Sequence, residues 1–167
     1  MKFLKEVKLP IDKDFIIKQI TDYNNKYYRI YDKERRKSII YDIISNLDDK
    51  DFQDILEYFS NLDFPLTVYR GLSLKQGKDV RLENLGLHWT TDYNLFNDKY
   101  SIFKTSNYII TAEITPEMVN WSSTINSYLY YTLRHSFYPE SEITLKRNAK
   151  PKILNVEYRD YNDELTR

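Results

Sequence analysis

The hydrophobic period of this chain changes at Pro65, and that change limits its fold more than any other feature. Before it, apolar residues recur at helical spacing. Residues 13–28 carry Phe15, Ile16, Ile20 and Tyr23 on one stripe. Residues 33–47 carry Ile39, Ile40, Ile43, Ile44 and Leu47. Residues 50–62 carry Phe52, Ile55, Leu56, Phe59 and Leu62, with Asp48 or Asp49 placed to cap the start. After Pro65 the pattern alternates, which predicts strands over 66–72, 86–91, 108–115, 140–146 and 151–158. A short helix is expected over 93–103, with Leu95, Phe96 and Ile102 or Phe103 inward. Residues 116–134 support either a helix opened by Pro116-Glu117 or a loop. Helices followed by strands predict an α+β fold with a split, mostly antiparallel sheet. At 167 residues the chain is expected to form one domain, 1–167, with a helical part over 1–63 and a sheet core over 64–160.

Within the strands, Glu140-Ser141-Glu142-Ile143-Thr144-Leu145 carries the clearest chemistry. Alternation sends Glu140, Glu142 and Thr144 to one face, and Ile143 and Leu145 to the core. Two carboxylates then lie about 6.5–7 Å apart along one strand. Such a pair suits a site that must steady a cation and also take a proton. It equally suits a solvent-facing edge, where glutamates are ordinary.

Leu66-Thr67-Val68-Tyr69-Arg70-Gly71-Leu72 puts Arg70 in register with three aliphatic residues. A guanidinium there either snorkels to solvent or holds an anion in a cleft with its planar fork. Gly71 allows a close backbone or ligand approach. In Gly86-Leu87-His88-Trp89-Thr90-Thr91-Asp92, His88 and Thr90 share a face while Leu87, Trp89 and Thr91 share the other. Asp92 reads as the cap of a following helix. His88 fits both a site role and that of a satisfied core histidine.

An arginine in a first strand, a His/Ser-aromatic-Thr strand running into a helix, and a late Glu-x-Glu strand occur here in that order. Together they resemble the ADP-ribosyltransferase family, in its Arg–Ser–Glu branch of bacterial toxins and small phage proteins. The resemblance covers roughly residues 64–158 and rests most on Glu140–Leu145 with Lys146-Arg147 and the last strand. It implies a core of two packed sheets with NAD, as substrate, in the cleft between them. It implies Glu142 as the glutamate that steadies the ribose cation and bonds its hydroxyl, and Glu140 as the proton acceptor from the attacking group. Arg70 would hold the phosphates or the adjacent ribose, and Thr90 would orient Glu142. Tyr93 or Phe96 would stack on the nicotinamide, and Gly71 would let the cofactor approach. His88 departs from the branch, which carries serine there. It leaves two readings open: Thr90 supplies the hydroxyl, or His88 contacts the nicotinamide ribose as in the His–Tyr–Glu branch. Residues 135–139 occupy the place of the acceptor-recognition loop, where Phe137 or Tyr138 either meets a protein or folds inward. The Glu-x-Glu order implies an arginine acceptor, since a guanidinium attacks only once a carboxylate draws off its proton.

The implied activity is mono-ADP-ribosylation of a protein in the host or the same cell, as a phage or bacterial effector or toxin. NAD glycohydrolase action, with water as acceptor, would use the same residues. A non-catalytic binding module of the same fold is the reading from another class. Lys33-Glu34-Arg35-Arg36-Lys37 reads first as a solvated helix face. Composition narrows the rest. Lys plus Arg equals Asp plus Glu, 25 each, so no basic excess favours a nucleic-acid partner. There is no cysteine, and His88 and His135 are the only histidines, so neither thiolate chemistry nor a histidine-rich metal site is expected. No apolar run reads as a signal peptide or a membrane span, which predicts a cytoplasmic protein.

Overall fold

The structure is a computed structural model and describes residues 11–75, 78–98, 101–133 and 141–159. They fall into two compact units, one within Met1–Phe64 and Asn120–Pro139, the other within Pro65–Val119 and Glu140–Arg167. The helical part therefore draws on a second stretch of chain, past residue 119, beyond the expected 1–63.

The first unit holds α1 (Lys13–Tyr27), α2 (Lys33–Ser45), α3 (Asp49–Ser60) and α4 (Trp121–Tyr128). Each starts at an Asp or Asn whose side chain accepts an otherwise orphaned backbone N–H. At α3, Asp48 and Asp51 form a reciprocal capping box. Ile16, Ile20, Phe52, Ile55, Phe59 and Ile125 make the core, at the i, i+3, i+4 spacing that brings side chains onto one helix face. Of the α2 stripe only Ile40 is fully buried, while Ile43, Ile44 and Leu47 are partly covered. Buried Asn24 on α1 donates to Ile20 O at 2.8 Å and to Asn126 Oδ1 at 3.1 Å, which satisfies its amide and ties α1 to α4. The stretch 116–134, open on sequence grounds, forms a 3-10 turn (Pro116–Met118), α4, and a π turn over Leu129–Leu133.

The second unit is a five-stranded antiparallel sheet of β1 (Leu66–Leu72), β2 (His88–Thr90), β3 (Tyr108–Ile114), β4 (Glu142–Thr144) and β5 (Lys152–Tyr158). Its order is β4-β2-β1-β3-β5. Two separate packed sheets were expected, whereas the described strands form one, because β2 pairs with both β1 and β4. β3 lies inside the sheet, and Ile109, Ile110, Ala112 and Ile114 have no exposed surface. β2 is shorter than expected. Gly86 turns the chain before it at φ +78°, and Asp92 N donates to Thr90 Oγ1 at 3.1 Å after it. β4 begins after Ser141, a non-glycine residue at φ +44°. Beyond β4, Leu145 bridges to Val119. The single helix expected over 93–103 is replaced, in the described residues, by 3-10 turns at Tyr93–Phe96 and Ile102–Thr105. Asp92 and Ser101 cap these turns, each too short to extend into an α-helix. Among the described residues, no helix is long and apolar enough to cross a membrane.

Candidate functional site

The register of three short strands builds the site. Thr90 stands opposite both Tyr69 on β1 and Glu142 on β4, so these three residues share a face. Trp89 stands opposite Ile143, and both are buried on the other face. The expected alternation holds here: Ile143 and Leu145 enter the core, and Glu142 points away from it.

Glu142 is gripped through one oxygen. His88 Nδ1 lies 2.6 Å from Oε1, and Thr144 Oγ1 donates to the same atom at 3.0 Å. An ionised carboxylate only accepts, and against one His88 donates through Nδ1. Oε2 carries no hydrogen bond among the described residues. The carboxylate side chain is 17% exposed and the imidazole 61%.

Arg70 approaches from β1. Its Nη1 donates to the carbonyl oxygen of His88. Its Nε is buried and donates to nothing among the described residues. Burial lowers the guanidinium's pKa below its usual value, and the Glu142 carboxylate acts in the opposite direction. The close approach is possible because residue 86 lacks a side chain: a Cβ there would lie 3.0 Å from Arg70 Nη2. His88 therefore holds both charged groups, Arg70 through its backbone and Glu142 through its ring.

Arg70, His88 and Glu142 are thus brought together, and Thr90 stands opposite Glu142 in the ladder. Gly71 and Tyr93 serve otherwise. A Cβ on Gly71 would sit 2.3 Å from Ser106 Oγ and 2.7 Å from the Phe96 ring, so the room there is filled by the protein itself. Tyr93 donates its hydroxyl to Glu157 Oε2 at 2.7 Å and accepts from Arg159 Nη2. Arg159 also donates to Glu157 Oε1 at 2.8 Å and to Asn97 Oδ1 at 2.9 Å. The Glu157 hydrogen bond raises the Tyr93 pKa, and the same bond, followed by Arg159, lowers that of Glu157. The Tyr93 ring meets Tyr69 edge-on at 5.3 Å. Phe96, the other expected stacking ring, is buried. Glu140, His135, Phe137 and Tyr138 lie outside the described residues.

Thr144, Gly86, Glu157 and Arg159 were not singled out as site or anchoring residues. Thr144 was legible, two places from Glu142 on the same strand face. Gly86 had a signal only in being one of three glycines. Nothing in sequence spacing pairs Tyr93 with residues 157 and 159. Among the described residues, no group of three or more histidine and acidic side chains is placed to hold a metal ion. No protein-family model, curated protein or solved structure matches the chain.

The arrangement offers a carboxylate fixed by one oxygen with the other available, beside a guanidinium with a spare buried donor. Such a pair favours a ligand with an anionic group beside a centre that becomes positive during reaction.

Proposed function

We propose that the chain is an NAD-dependent mono-ADP-ribosyltransferase with an ADP-ribosyltransferase-like core, acting on a protein side chain, expected to be arginine. The observation that carries this reading is Glu142 locked by His88 and Thr144 within electrostatic reach of half-buried Arg70. Cleavage of the nicotinamide–ribose bond sends its electron pair to nicotinamide and leaves positive charge on the ribose. A preorganised carboxylate stabilises that charge more than it stabilises the ground state. The unpaired Oε2 is the oxygen suited to the ribose, and Arg70 Nε is the donor suited to a phosphate or ribose oxygen. Both groups fit the proposed substrate. Glu140 enters by resemblance alone, as the base for the acceptor. The setting we propose is the cytoplasm, with the protein as a phage or bacterial effector.

The test is incubation of the purified protein with labelled NAD and a bacterial lysate, beside Glu142→Ala. Label on a protein band, lost by about 10²–10³-fold in the variant, supports transfer. Nicotinamide release without labelled protein supports hydrolysis instead. No turnover, with unchanged partner binding by the variant, supports a binding module.

A further inference from the structure

His88 deserves a role of its own, because its ring is arranged differently from that of a buried structural histidine. One ring nitrogen is fixed on a carboxylate and the ring stays mostly open to solvent. In the neutral ring whose proton sits on Nδ1, the opposite nitrogen, Nε2, carries a lone pair. A carboxylate behind an imidazole sets its tautomer and stabilises the imidazolium that forms when Nε2 takes a proton. The ring is also held at the site from behind, since the His88 carbonyl accepts from Arg70. Facing groups are Glu142 and Thr144 from β4 and Arg70 from β1.

Resting on the proposed function, we infer that His88 is the general base of the transfer step. The acceptor's lone pair forms the bond to the ribose carbon as the nicotinamide bond breaks. The acceptor's proton passes to His88 Nε2, and the imidazolium keeps its Nδ1–H on Glu142 Oε1. The exposed ring then returns the proton to water. Glu142 serves two partners with two oxygens: Oε1 orients the base, and Oε2 meets the ribose. This assigns to His88 the part that the resemblance gives to Glu140.

Three measurements test it in the full-length protein. His88→Ala should lower transfer about 10²-fold, within the range for a lost general base, with little change in KM for NAD. Free imidazole should restore at least about tenfold of that loss, because the site is open to solvent; a merely structural histidine gives no such rescue. Nitrogen-15 NMR of the neutral imidazoles, readable because the chain has two histidines, should find His88 as the Nδ1–H tautomer, and Glu142→Ala should shift it towards Nε2–H. Full activity of His88→Ala, a loss that imidazole does not relieve, or an Nε2–H tautomer in the wild type would overturn the inference and leave transferase activity standing. A wild type that turns over no NAD would overturn both.

Discussion

Replacing Gly86 with alanine perturbs the candidate site at the point where its geometry is tightest. Two costs can be read from the structure. The backbone sits at φ +78°, where a residue with a Cβ loses about 1–2 kcal/mol relative to glycine. The new methyl would also lie 3.0 Å from Arg70 Nη2, closer than side chains normally pack, and 3.4 Å from Cζ. The guanidinium cannot simply retreat, because Nη1 is tethered to the His88 carbonyl. Pushing it off its rotamer costs about 0.5–1.5 kcal/mol. The sum is about 1.5–3.5 kcal/mol. Urea unfolding followed by near-UV circular dichroism of the sheet-unit aromatics measures it. In an Arg70→Ala background the steric part disappears, so Gly86→Ala should then cost only its backbone share. The coupling between the two sites should be about 0.5–1.5 kcal/mol. Gly86→Ala within about 0.5 kcal/mol of wild type, the scatter of ordinary surface substitutions, would refute the whole argument. An equal cost in both backgrounds would refute the contact with Arg70.

Gly71→Ala should destabilise by about 1–3 kcal/mol through overpacking against Phe96 and Ser106, and Ser106→Gly should recover part of that loss when combined with it. Thr144→Val keeps the volume but removes a donor to Glu142; turnover of NAD should fall about tenfold while the urea midpoint moves little, and unchanged turnover would show that His88 alone fixes the carboxylate. The Glu157 carboxyl is held below its usual range by the Tyr93 hydroxyl and Arg159, so its stabilisation is full above the unfolded pKa and is lost as pH falls through the folded one. Tyr93→Phe should therefore flatten the loss of stability on the acid side of about pH 4.3, as read by urea midpoints across pH. The raised Tyr93 pKa works at the other end, with stability present below the unfolded phenol pKa and lost as pH rises through the folded one, so the same variant should flatten that limb too.

The legible parts of this molecule are those set by local pattern. Helix starts followed aspartates, the i, i+4 stripe of α1 gave Ile16 and Ile20 their burial, and alternation placed Ile143 inward and Glu142 outward. Sheet order was not legible, because nothing in the alternation of β2 tells which neighbours its backbone will choose. The joining of both expected sheets into one follows from that choice. At the site, Arg70, His88 and Glu142 could be nominated by residue type, but the oxygen that binds the imidazole could not. Tyr93 shows the limit most clearly. Its ring was expected to face a ligand, yet its hydroxyl is engaged by residues 64 and 66 positions later in the chain.

The join between β1 and β2 rests on a single register pair, Tyr69 with Thr90, whereas seven pairs join β1 to β3. The guanidinium belongs to one bank of that seam, and the carboxylate with its imidazole belongs to the other. Few ladder hydrogen bonds oppose a twist there, and the Arg70–His88 contact acts as a strap across it. The spacing of the two charges is accordingly set across the most sparsely paired join of the sheet. A dianionic or dinucleotide ligand that engages both banks would stiffen the seam, and the amides of Tyr69 and Thr90 would report its arrival by slowed hydrogen exchange.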